Sequence, residues 1–230
     1  MSKRLPRSLS FLNASTCRFM CWAGGSNCLL PKRLRAVVAM MAIKGWCAED
    51  SVEDHIRIKA QAGEDWPSLV AQITGASLGG LENLAGIPGT AGAAPIQNID
   101  AYGVELSDVF ERLKAYDRKE NRMVMLDKAD CRFAYRHSVF KDQPGRCIVS
   151  EVTQRLPRLW HPILSYAGLR ELPPPQTPAT VMQAVLAQRA AKLPDWRVLG
   201  HVGSFFQNPV VSEEMWRALP EMPGIRPTAV

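Results

Sequence analysis

The sequence has no long apolar run. The longest, Ala36–Ile43, has 8 residues, well short of the roughly 20 that a membrane-spanning helix needs. Acidic side chains are missing from the first 48 residues, which carry Lys3, Arg4, Arg7, Arg18, Lys32, Arg33, Arg35 and Lys44. Beyond that point 20 basic residues face 22 acidic ones, so the net charge of +6 is local. A local excess of this kind predicts neither a nucleic-acid surface nor a membrane partner. The acid-poor start has no sustained amphipathic period and no secretory apolar core, so no targeting role is expected of it. The cysteines Cys17, Cys21, Cys28, Cys47, Cys131 and Cys147 lack the paired spacing of a metal site. No metal is expected, and the thiols read as reduced in a cytoplasmic protein.

What is present is ordinary globular composition, 47% hydrophobic and 22% charged over 230 residues, enough for one large domain or two small ones. Residues 1–20 show no period and are expected to pack poorly. Arg35–Ile43 reads as a buried strand. Ile56, Ile58 and Ala60 alternate with polar residues, as a half-buried strand requires. Gly63–Pro67 opens a helix with Leu69, Val70 and Ile73 on its apolar face, ended by Gly75 or Gly79. Residues 108–128 read as a hairpin with Val109, Glu111, Leu113 and Ala115 on one face, and Cys147–Arg155 as a further strand. Proline and Trp160 then break the pattern, suggesting a boundary near 157. Thr177-Pro178 caps a helix with Val181, Ala184 and Val185 inward. Arg189 and Lys192 share a face of its last turn.

The organising stretch is Glu82–Gly103, with four glycines, two prolines, five alanines and almost no charge in its middle. Small residues let backbone N–H groups approach a ligand, and consecutive N–H groups in tight turns hold anions. Gln97 and Asn98 add groups that read a heterocycle edge. Composition alone allows an ordinary Gly/Pro connector equally well. Likewise, an arginine such as Arg136 is on chemistry alone a surface ion-pair partner.

The run Ile87-Pro88-Gly89-Thr90-Ala91-Gly92-Ala93-Ala94-Pro95-Ile96-Gln97-Asn98-Ile99-Asp100-Ala101-Tyr102-Gly103-Val104-Glu105 resembles the flavin segment of the UDP-N-acetylenolpyruvoylglucosamine reductases (MurB, UDP-N-acetylmuramate dehydrogenases). Three further blocks follow the family's order: Gly24–Asn27, Cys131–Ser138 and Gly203–Pro209. The resemblance covers roughly residues 20 to 220. It implies an α+β chain: residues 21–156 form an FAD-binding domain of the vanillyl-alcohol-oxidase-like (PCMH-type) superfamily, and residues 157–230 a MurB-type α+β substrate domain. The chain is expected to lack family segments at both ends, including a C-terminal catalytic glutamate. The resemblance implies FAD and NADPH as cofactors, a UDP-sugar substrate, a monomer, and reduction of an enolpyruvyl ether in peptidoglycan synthesis. An inactive, nucleotide-binding remnant is the alternative. A flavin oxidase of the wider superfamily is disfavoured by the Gly203–Pro209 block.

By the same resemblance, Gly24, Gly25, Ser26, Asn27, Ile87, Pro88, Gly89, Thr90, Gly92, Ala93, Ala94, Gln97, Asn98, Gly103 and Arg189 hold the cofactor. Tyr135, Tyr166, Lys192 and Asn208 bind substrate. Arg136 is the cation facing the substrate carboxylate, and Ser204 the proton donor. Ala23 and Asp100 stand where the family carries glycine. A carboxylate at 100 is expected to repel a flavin pyrophosphate or carbonyl.

Overall fold

The computed structural model describes residues 18–30, 32–50, 54–194, 198–199 and 207–220. The core is one antiparallel sheet, built from β3 (Trp46–Asp50), β4 (His55–Gln61), β7 (Phe110–Asp117), β8 (Arg122–Asp127) and β9 (Cys147–Pro157). Its order is β3-β4-β9-β7-β8, so the longest strand lies in the middle. The alternation read in β4 holds: Ile58 and Ala60 are fully buried. Arg57 and Lys59 reach out to Glu111 and Glu49.

Helix α1 (Trp66–Gly75) shares one hydrophobic core with the sheet, its fully buried Leu69, Val70 and Ile73 clustering with Ile58 and Ala60. Asp65 caps it, accepting from Ser68 N at 3.0 Å, which satisfies one of the first turn's orphan donors. The helix ends at Gly75, but the left-handed residue that follows is Ser77, φ 62°.

Two expectations need correction. Only Val37–Met40 (β2) of the apolar run 35–43 is a strand, and Val37, Val38 and Met40 are 41%, 42% and 68% exposed. It pairs in parallel with β1 (Phe19–Trp22) as a two-stranded ribbon, too small a sheet to bury itself. In the hairpin, Val109 belongs to a short helical turn α2 (Leu106–Val109). Glu111 falls at a register shift between Phe110 and Arg112. The bulge swings its carboxylate out to Arg57 at 2.7 Å and Arg112 at 3.2 Å, so only Leu113 and Ala115 keep the inward face.

The glycine-rich stretch forms two single 3-10 turns, Glu82–Leu84 and Ala94–Ile96, then a small hairpin of β5 (Asp100–Ala101) and β6 (Val104–Glu105). Its turn residues Tyr102 and Gly103 both have positive φ, 51° and 82°, as a two-residue hairpin turn demands. Between β8 and β9 lie α3 (Lys128–Cys131) and α4 (Val139–Asp142). After β9 the chain continues over the same core. Trp160 donates to the buried Glu82 carboxylate at 2.7 Å, and α5 (Pro178–Lys192) buries Val181 and Val185 against the Glu82–Leu84 turn and α1. A last short helix, α6, spans Glu213–Arg217. No described helix is long and apolar enough to cross a membrane. The five described cysteines, from Cys21 to Cys147, are all unpaired.

Candidate active site

The glycine-rich loop is fastened edgewise to the junction of β4 and α1. Gly92 N donates to Ala62 O at 2.9 Å, Ala91 N to Glu64 O at 2.9 Å, and Trp66 N to Gly89 O at 3.0 Å. This needs glycine at 92: a Cβ there would lie 2.4 Å from Ala62 Cβ and 3.0 Å from its backbone. The N–H groups of Gly89 and Thr90 have no partner among the described residues. The Thr90 hydroxyl is buried with none either. Gly89 holds φ 134°, a conformation open to glycine alone.

The Gly24–Asn27 turn meets this loop. Ser26 Oγ donates to Pro88 O at 3.2 Å, and Asn27 donates to Gln97 Oε1 at 3.2 Å. A Cβ on Gly24 would sit 3.6 Å from Gly89 Cα, so the two backbones face each other across a narrow gap. Beside them opens a cleft of about 860 Å³, lined by Thr90, Gly92, Ala93, Ala23 and Ile96, with Arg18, Arg118 and Lys141 among its walls. That volume is within the range of small-molecule sites. Unpaired N–H groups, an orphan buried hydroxyl and three cations suit the diphosphate of a dinucleotide. A second depression, of about 590 Å³, runs along β8 and is lined by none of the candidate residues.

Arg136 stands in a tight turn after α3. Ala134 and His137 exchange backbone hydrogen bonds at 3.2 and 3.0 Å, and Arg136 takes a left-handed φ of 52°. Its guanidinium pairs with the Asp100 carboxylate, and its Cζ lies 5.6 Å from the Tyr135 ring. Burial pushes the Asp100 carboxyl above its ordinary value, with Arg136 pulling the other way. Among the described residues, Arg136 is the opposite charge that Asp100 pairs with.

Two expected cofactor residues have other work. Asn98 is fully buried, giving both amide hydrogens to Glu105 Oε2 (2.7 Å) and Ala134 O (3.3 Å) and accepting from Ser107 N at 2.9 Å. It braces the loop from behind and has no donor left for a ligand. Gly103 is favoured by its turn, φ 82°, and a Cβ there would also lie 2.7 Å from Ser165 Oγ. Ile87 is packed on the core, and Ala94 is buried at the start of its turn.

A third group sits on the other side of the β5–β6 hairpin. Tyr102 and Tyr166 meet edge to face, 4.9 Å between ring centres. Lys192 lies 5.0 Å from the Tyr166 ring and 5.8 Å from that of Tyr102, and donates to the Tyr166 hydroxyl at 3.3 Å. Burial holds the Tyr102 hydroxyl above its ordinary pKa. Burial also draws Arg189 down; its Nε lies 3.1 Å from where a Gly86 Cβ would be. Sequence reasoning missed Tyr102, Arg118 and Lys141. An aromatic ring inside a run of small residues was the available signal for Tyr102; the two cations carry none. Asn208 is exposed. Ser204 lies outside the described residues.

Comparison with known proteins gives the class first. Residues 3–124 match the family described as FAD binding domain, so the α+β fold is that of a flavin-dinucleotide-binding protein. The relatives are more specific. A UDP-N-acetylenolpyruvoylglucosamine reductase of Polynucleobacter asymbioticus is 38% identical over 99% of this chain and 70% of its own length. One of Bordetella pertussis is 44% identical over 93% and 63%, and one of Idiomarina loihiensis 42% over 82% and 56%. The chain belongs to the UDP-N-acetylenolpyruvoylglucosamine reductase family. It spans between 56% and 63% of the length of those last two relatives. Among solved structures, the UDP-N-acetylenolpyruvylglucosamine reductase of Thermus caldophilus superposes with a TM-score of 0.59 at 23% identity, over 86% of this chain and 64% of that one, which supports the fold.

Proposed function

We propose that this chain carries the flavin-binding part, and the start of the substrate part, of a reductase acting on UDP-N-acetylglucosamine bearing an enolpyruvyl ether, in peptidoglycan synthesis. The domain division near residue 157 belongs to the same proposal. The cleft beside Thr90 takes FAD, with the Gly24–Asn27 turn and the Gly89, Thr90, Gly92 and Ala93 loop around its diphosphate. When bound, FAD supplies a hydride that originates on NADPH. The hydride adds to the β-carbon of the enol ether and a proton to the α-carbon, turning the double bond into a lactyl ether.

The chain's own part is charge and position. Arg136 holds the substrate carboxylate, on which negative charge grows as the hydride arrives. A cation fixed there stabilises the transition state more than the ground state. Ser204 supplies the proton. Lys192, hydrogen-bonded to Tyr166, holds the substrate diphosphate, and Tyr135, Tyr166 and Asn208 contact the substrate. Arg189 flanks the flavin.

One observation carries the reading. The β5–β6 hairpin contacts Arg136 through Asp100 at one end and the Lys192–Tyr166 pair through Tyr102 at the other. That arrangement supports reading the Arg136 end as the carboxylate site and the Lys192 end as the phosphate site, both held by one hairpin. The test is the visible spectrum of the purified chain with added FAD, then NADPH and the enolpyruvyl sugar. Flavin bands should appear, and Arg136→Ala should lower reduction of the sugar by about a hundredfold or more while flavin reduction by NADPH persists. No flavin uptake, or equal loss of both half-reactions, overturns the proposal.

A further inference from the structure

The contact between Asp100 and Arg136 has the form of an occupied anion site. Only one arm of the guanidinium is engaged: Nη1 meets the Asp100 carboxylate and, at 3.4 Å, the Asp100 carbonyl. Nε and Nη2 have no partner among the described residues. Asp100 Oδ1 is buried against that one arm. A second carboxylate, Glu105, adds its repulsion to Asp100. A planar carboxylate that reaches this guanidinium can take two N–H donors at once, and such forked pairs are stronger than single-armed ones.

The two partners differ in freedom. The Arg136 backbone is pinned by the Ala134–His137 turn and by Lys141, whose ammonium donates to Arg136 O at 2.7 Å. Asp100 sits on a strand of two residues at the hairpin edge. Its side chain is 25% exposed and that of Arg136 29%, so both border solvent.

We infer that Asp100 is an internal competitor at Arg136: a ligand carboxylate binds by displacing the Asp100 carboxylate, and the residue at 100 sets how tightly such ligands are held. Asp100 is here a positioning and specificity residue, and the inference rests on the reductase reading for the identity of its natural ligand. It also predicts discrimination. The loss of affinity caused by Asp100 falls on ligands that carry the enolpyruvyl carboxylate and spares the same sugar nucleotide without it.

The test uses the full FAD-loaded chain and Asp100→Asn, which keeps the shape and removes the charge, with Asp100→Gly as a second variant. Binding of the enolpyruvyl sugar should tighten about tenfold in both variants, while UDP-N-acetylglucosamine binds unchanged. The difference should survive raised salt, which screens long-range fields but spares a direct contact. Independently, phenylglyoxal should label Arg136 several times faster in Asp100→Asn than in the parent, and pyruvate should protect it better. Unchanged labelling and unchanged protection overturn the competition. So does equal tightening of both sugar nucleotides. Labelling and protection that respond as expected, with no binding of the enolpyruvyl sugar by any form, support the competition and overturn the reductase reading instead.

Discussion

Asp117 shows how a single residue ties stability to pH. It ends β7, 4% exposed, accepting from Arg146 Nε at 2.9 Å and from the backbone N–H groups of Lys119 and Glu120 at 2.9 and 3.1 Å. Burial pushes its carboxyl up, but Arg146 and the two amides outweigh that and hold it below its ordinary 3.8. A carboxylate depressed in the folded state contributes stability that is complete above the unfolded value and is lost as pH falls through the folded one. Asp117→Asn should therefore destabilise the protein at pH 7 by about 1–3 kcal/mol. The gap should close below the ordinary value of 3.8, as urea melts across pH 7 to 2.5 would show. Asp100 has the opposite sign, because desolvation dominates there and its charged form weakens the fold as pH rises. At this scale the sequence was legible where geometry is local: the Gly92 and Gly24 contacts are what a small-residue motif predicts. Asn98 is not legible in the same way, because its polarity is the same whether it faces a ligand or braces a loop.

At the scale of elements, the segment after β9 is held by a small number of specific contacts. The Trp160 indole covers Gly79, where a Cβ would lie 2.1 Å from the ring, and its N–H serves Glu82, 2% exposed. Trp160→Phe keeps an aromatic ring and removes the donor, leaving the carboxylate, among the described residues, with its 2.5 Å contact from Gly80 N. The expected cost is about 1–3 kcal/mol, with faster amide exchange in α5 than in β9. Equal acceleration across both would mean that Trp160 does not couple the segment to the core. The sequence marked α5 well, because Thr177 and Pro178 form a start signal and Thr177 Oγ1 accepts from Thr180 N at 3.1 Å. It marked β2 poorly: an apolar run states that a strand is favoured, and only its neighbours decide whether a face is covered.

For the molecule as a whole, the proposed flavin cleft lies between β1, with Ala23 just before the Gly24–Asn27 turn, and the main sheet with its glycine-rich loop. A ligand that bridges two packed pieces stabilises both by mass action. FAD at about a hundred times its dissociation constant should add about 2.7 kcal/mol, read as a rise in Tm that FMN, lacking the second phosphate and adenosine, does not match. An equal rise with FMN would move the site away from the Gly24–Asn27 turn.

The sequence by itself determined the family, the α+β class and the candidate loop. Those rest on the order of small residues, caps and alternating strands, which act over a few residues at a time. Only the tertiary structure decided partners: that Asp100 lies on Arg136, that Tyr102 joins Tyr166 and Lys192, and that Asn98 faces inward. Those pairs are brought together by the β5–β6 hairpin and by the packing of α5 on the core. A charge or ring has no address until the chain between it and its partner has folded.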